Sequence, residues 1–292
     1  MLATVPSLAL ILGPEARFAR GVILTDSAVL NTAQHTALVG YIGASTIPLL
    51  SDSGQIPEIL GTGTLLTHED RHFIVTAAHI LKTDADDLSS ADRDLSSIAY
   101  PTGRSAAQLL TLGPITVYRP APPSRVDVVV LELRDTETVK VIGRNWIFLT
   151  LQATGSLPFN ARFVLSGYPL EGTRWDGRDV GQSFLTLTTD PLHYVPEVQY
   201  PEPTVDRFFY LQDEGELLDG STRKIPKLQG LSGASLWAYT EPSPSELWTP
   251  QKTLRIVGVQ SSYSRGKWFR CTDWEAVRVV LRDSEVGLRS PP

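Results

Sequence analysis

The sequence predicts an all-β protein in which two antiparallel β-barrels follow one another, with an extension before them and a helix at the end. Three observations lead there. From residue 37 onward short apolar runs alternate with turn residues, the spacing of strands in a barrel or sandwich. The 292 residues suffice for two cores of ordinary size. Three short segments also stand in the order histidine, aspartate, serine: Thr76-Ala77-Ala78-His79, Val126-Asp127-Val128-Val129-Val130-Leu131 and Gly230-Leu231-Ser232-Gly233.

Taken in order, residues 1–33 read as an extension, with a strand at 8–12 and a break at Gly13-Pro14. The apolar run at 8–12 has no Lys or Arg before it and is shorter than most signal-peptide cores. Residues 34–150 read as the first barrel, with apolar runs at 37–42, 63–66, 73–76, 115–118 and 126–133. The Asp- and Ser-rich stretch 83–97 reads as a surface loop, and Pro120-Ala121-Pro122-Pro123 as an extended connector. Residues 151–292 read as the second barrel, its strands announced by 146–149 and continued at 162–166, 183–189, 208–211, 234–239 and 254–260. Past Thr272 or Asp273 as N-cap, Trp274, Val277, Val280 and Leu281 recur at helical spacing, a helix expected to pack on the second barrel.

Composition narrows the function. A net charge of −6 without a long Lys/Arg run leaves no footprint for nucleic acid or an anionic membrane. No stretch reaches the roughly 20 apolar residues that span a bilayer. Cys271 is the only cysteine, so no intrachain disulfide forms, which favours a cytoplasmic over a secreted or periplasmic setting.

The three segments carry complementary chemistry. A serine hydroxyl becomes a competent nucleophile only beside a base, and His79, following an apolar strand and two small alanines, is the candidate. A carboxylate on the other imidazole nitrogen fixes the tautomer and stabilises the imidazolium. Asp127, at the head of an apolar strand, is of that type, whereas Glu132 in the same run is expected to point outward. Ser232 lies between glycines, and Gly230 allows the turn through which the amides of Gly230 and Ser232 converge as an oxyanion hole.

On these residues, over roughly 35–270, the chain resembles the trypsin/chymotrypsin-like serine peptidases, closest in texture to bacterial disulfide-free members. The triad order is the one those double-barrel enzymes use, and Gly167-Tyr168-Pro169 is similar to a turn in the bacterial members. The resemblance implies a chymotrypsin-like double β-barrel, with His79 and Asp127 from the first barrel, Ser232 from the second and the site between them. It also implies an endopeptidase acting on proteins or peptides without a cofactor, and a regulatory protein is a further expected partner. For substrate binding it points to residues 224–229 including Gln229, and to Gln260, Ser261, Ser262 and Tyr263, the last three of which also offer backbone for pairing an extended peptide. Two positions depart from the pattern: Leu231 replaces the Asp that pairs with a newly cut N-terminus in many digestive members, and Ala234 replaces a usual glycine.

Three other readings compete. An acyl transferase or esterase would use the same triad, since the acyl-enzyme chemistry is shared. A peptidase-like domain that binds without cutting would keep the same fold. His68-Glu69-Asp70-Arg71-His72 matches the zinc-peptidase pattern H-E-x-x-H, which works when both histidines share a helix face. Here the five residues join two strand-like runs without helical periodicity, so a hairpin tip is expected and no metal is assigned.

Overall fold

The computed structural model describes residues 30–53, 57–84, 87–104, 107–121, 125–158, 161–176, 179–198, 201–243 and 245–289, with side chains to residue 284. The strand expected at 8–12, the break at Gly13-Pro14 and Pro122-Pro123 lie outside them. The described residues from 32 onward form one compact unit, built mainly from two curled antiparallel sheets in the manner of a chymotrypsin-like double β-barrel.

The first sheet contains β1 (Thr46–Ser51), β2 (Glu58–His68), β3 (Arg71–Thr76), β4 (Ile98–Pro101), β5 (Leu109–Thr111), β6 (Ile115–Tyr118) and β7 (Val129–Leu133), in the order β5-β4-β1-β2-β3-β7-β6. Alternation selects its interior: Val129, Leu131 and Leu133 of β7 meet Ile47, Leu49, Leu65 and Ile74 in one buried cluster. The opposite face of β7 corrects an expectation. Glu132 does point away from that core, yet it is 2% exposed, held by Arg71 at 2.6 and 2.9 Å, Tyr118 at 2.8 Å and Arg134 at 2.9 Å. Burial alone would raise its pKa, but the Arg71 and Tyr118 hydrogen bonds, with the charges of Arg71 and Arg134, bring it below the ordinary glutamate value.

Two expected strands do not form. The run at 37–42 lies within α1 (Thr32–Ala44), because Leu38 and Ile42, four apart, bury on one side of a helix whose first turns are polar. The chain then turns at Ser45, whose hydroxyl donates to the Ile42 carbonyl at 3.0 Å, as does that of Thr46 at 2.8 Å. Residues 146–149 form no regular strand. They follow α2 (Thr136–Asn145), capped by Asp135, whose carboxylate accepts from Thr138 N–H at 2.9 Å. Trp146 joins the first core, and Leu149 makes an isolated parallel bridge with Leu66 of the first sheet.

After α2 come β8 (Arg162–Gly167), the hairpin β9 (Arg174–Asp176) and β10 (Asp179–Gly181), β11 (Leu185–Thr189) and β12 (Asp206–Tyr210). Then follow the hairpin β13 (Glu214–Glu216) and β14 (Thr222–Lys224), β15 (Ser235–Tyr239), the short α3 (Pro250–Thr253), β16 (Leu254–Ser264), β17 (Trp268–Asp273) and α4 (Trp274–Arg289). The second sheet runs β11-β8-β15-β16-β17-β12 around Leu165, Leu236, Val257 and Phe269. Asp273 caps α4 through a 3.1 Å bond from Glu275 N–H. This helix packs on β16 and β17, as expected, and also on β6 and β7 of the first sheet. Among the described residues no helix is long and apolar enough to cross a membrane.

Candidate active site

The register pairing Thr76 with Val129 sets the residues just past β3 against those just before β7. His79, in a short 3₁₀ turn spanning Ala78–Leu81, thereby meets Asp127. The imidazole Nδ1 lies 2.6 Å from Asp127 Oδ2, and the His79 backbone N–H donates to Oδ1 at 2.9 Å. Two bonds to one carboxylate fix the ring's place and select the tautomer whose Nδ1 carries the proton. Asp127 is buried, where a polar group left without such hydrogen bonds would be costly.

Ser232 reaches the same region from the second sheet. Its loop turns at Gly230 (φ +90°) and Gly233 (φ +88°), values that favour glycine. A Cβ at Gly230 would stand 2.6 Å from the Tyr168 carbonyl oxygen and 2.9 Å from Leu170 N. One at Gly233 would overlap Thr76 Oγ1 and the Thr62 carbonyl and stand 2.8 Å from Ala77 N. The loop is thus seated against the end of β3, three residues before His79.

Thr62 of β2 is the joint. Its N–H donates to the Ser232 carbonyl at 2.8 Å and its hydroxyl to the Gly230 carbonyl at 2.8 Å. That hydroxyl accepts from Tyr168 N–H at 3.1 Å, while the Thr62 carbonyl accepts from the Thr76 hydroxyl at 2.8 Å. Within the loop the N–H groups of Leu231, Gly233 and Ala234 donate to Leu228, Gln260 and Leu231 carbonyls. Among the described residues the N–H groups of Gly230 and Ser232 have no protein acceptor. The Ser232 hydroxyl, half-buried, forms no hydrogen bond with His79 among those residues.

The expected substrate-binding residues separate. Gln229 is exposed and its carbonyl accepts from Leu170 N–H at 2.7 Å. Ser261 is 3% exposed, its hydroxyl receiving Arg270 Nε–H at 3.1 Å. Ser262 and Tyr263 are half-buried in β16. The β15 partner ends at the Ser235–Val259 pair while β16 continues to Ser264 against β17. The β15-facing edge past Gln260 therefore carries no strand partner among the described residues.

Sequence reasoning missed Thr62, Asp206 and Arg270. Asp206 pairs with Arg270 at 3.5 Å. Burial raises its pKa above the usual aspartate value, with Glu202 and Asp127 adding repulsion against the pull of Arg270 and of the Glu202 N–H. Gln260 is 1% exposed, with neither amide atom hydrogen-bonded among the described residues. No local motif marks these positions; each acquires meaning through strand register.

The zinc pattern sits at a β-hairpin tip, with Glu69 (φ +48°) and Asp70 (φ +61°) as the two turn residues. His68 pairs with Arg71 and Thr67 with His72 across the strands, so the histidines share no helix face. His72 packs edge-on against Phe148, ring centroids 4.7 Å apart.

No protein-family model and no curated protein matches this chain. Among solved structures it is similar to Rv3671c from M. tuberculosis H37Rv, a serine-to-alanine mutant in an inactive form, at 14% identity and TM-score 0.46, covering 91% of this chain and 98% of that one. It is also similar to a structure concerning coupled folding and binding of the intrinsically disordered Sesbania mosaic virus VPg protein, at 12% identity and TM-score 0.43, covering 82% and 90%.

Proposed function

We propose that the chain is a serine endopeptidase that cuts protein or peptide substrates through Ser232, His79 and Asp127. The observation that carries this reading is the two-point bond between His79 and Asp127, with the Ser232 loop seated beside the same strand end. Ser232 Oγ attacks the scissile carbonyl carbon as its proton passes to His79 Nε2, and Asp127 stabilises the imidazolium through Nδ1–H. The developing oxyanion receives the N–H groups of Gly230 and Ser232, each donor of this kind being worth about 3 kcal/mol. His79 returns the proton to the amine as the C–N bond breaks, leaving an ester on Ser232. Water, deprotonated by His79, then attacks the ester, and the proton goes back to Ser232. The unpartnered edge of β16 past Gln260 suits an extended peptide added as a strand.

No cofactor enters this scheme, and the lone buried Cys271 suits the cytoplasmic setting we assign. The second reading, a binding module that does not cut, draws on the absence of a bond between the Ser232 hydroxyl and His79 among the described residues. Hydrogen bonds in catalytic sites often tighten only with substrate present, so covalent labelling decides. A fluorophosphonate is expected to label the protein once, at Ser232, and Ser232→Ala to abolish both labelling and peptide cleavage. An unlabelled, properly folded wild type would leave the binding module standing.

A further inference from the structure

We infer that a cavity beside the nucleophile loop binds an acidic segment of the polypeptide substrate, an inference that rests on the peptidase reading and names its substrate class. The cavity has a volume of about 450 Å³, within the roughly 300–1,000 Å³ of ordinary ligand pockets. Its wall includes Lys224 and Lys227, and the chain runs from Lys227 through Leu228 and Gln229 into Gly230. The facing wall, at Pro169, is tied to the same segment where Leu170 N–H donates to the Gln229 carbonyl at 2.7 Å.

The charge around this space is lopsided. Arg223, Lys224, Lys227 and Arg265 line it against one carboxylate, Glu171, although the whole chain carries −6. Two cations have carboxylate neighbours, Arg223 with Asp219 at 3.8 Å and Arg265 with Asp213 at 3.6 Å. Glu171 accepts from the backbone N–H of Lys227 at 3.0 Å. Glu214 faces Lys224 across the hairpin register without a salt bridge between them among the described residues. The ammonium groups of Lys224 and Lys227 are left as the cations a ligand would meet. Beneath them Leu185, Leu217 and Ile225 form an apolar floor. A concave site with a cationic rim over an apolar base fits Asp or Glu side chains together with the hydrocarbon of their neighbours, and a peptide supplies both.

The test uses full-length Ser232→Ala protein, so that binding is read without turnover. A fluorescein-labelled peptide rich in Glu and Asp is titrated by anisotropy at low and moderate salt, beside a neutral peptide of equal length. The acidic peptide is expected to bind at least about tenfold more tightly, to weaken with salt, and to lose about tenfold or more when Lys224→Glu and Lys227→Glu are added. Unchanged melting of that charge-reversed protein verifies its fold. Equal affinity for both peptides, or for both forms of the protein, would overturn the inference. Normal fluorophosphonate labelling of wild type alongside such a result sinks the acidic site alone, whereas charge-dependent peptide binding with no labelling sinks the catalytic reading alone.

Discussion

Replacing Gly233 by alanine tests whether the seating of the Ser232 loop organises both the fold and the chemistry. At φ +88° a residue with a Cβ pays roughly 1–2 kcal/mol in backbone energy. The added methyl would also overlap Thr76 Oγ1 and the Thr62 carbonyl and stand 2.8 Å from Ala77 N. Two of those atoms are main chain, one in β2 and one just past the end of β3, and cannot swing aside, so overpacking adds about 1–3 kcal/mol. Together the loss is roughly 2–5 kcal/mol, which at about 2–4 °C per kcal/mol for a chain of this size lowers Tm by roughly 4–20 °C. If the loop escapes by lifting off β2 and β3, Ser232 moves relative to His79, and about 1 Å of displacement costs on the order of 100-fold in rate. Thermal melts followed by circular dichroism and the rate of fluorophosphonate labelling measure the two effects. A Gly233→Ala protein that melts and labels like wild type would refute the reasoning.

Arg71→Met leaves Glu132 buried with fewer partners and is expected to cost about 3 kcal/mol at pH 7. In wild type the lowered Glu132 pKa contributes stability that is complete above its unfolded value near 4.5 and fades as pH falls through the folded value. Without Arg71, burial dominates and pushes that pKa up, so the melting gap between variant and wild type should narrow from pH 7 toward pH 4; a constant gap contradicts the assignment. Gln260→Met removes a side-chain amide with no hydrogen-bond partner among the described residues at little change of volume and should raise stability by about 1 kcal/mol or more in chemical denaturation, whereas a loss would mean the amide is satisfied by ordered water.

The candidate site was more legible in the sequence than its supports. His79, Asp127 and Ser232 stand in short local patterns, and apolar runs between turn residues marked β2, β3, β6 and β7 of the first sheet and all of the second but β17, whereas β1, β4 and β5 were not read as strands. The run at 37–42 misled because Val39, Tyr41 and Ile42 suit a strand, while the burial of Leu38 and Ile42 belongs to a helix that begins five residues earlier. The helix after β7 was hidden by Val139, Val141 and Ile142, β-branched residues of low intrinsic helix preference, although Asp135 before Thr138 is a capping signal. Glu132 was misjudged since its burial is supplied by Arg71, Tyr118 and Arg134, the first of them 61 positions away. Thr62, Asp206 and Arg270 act through register across strands, which no local window contains.

The bonds gathered on Thr62 give one main-chain amide unusual diagnostic value. Because its N–H is held by the Ser232 carbonyl in the loop before β15, deuterium enters there only when that loop parts from β2. Its exchange rate is therefore a clock for how often that seat comes undone, readable in a protein carrying no substrate, no label and no mutation.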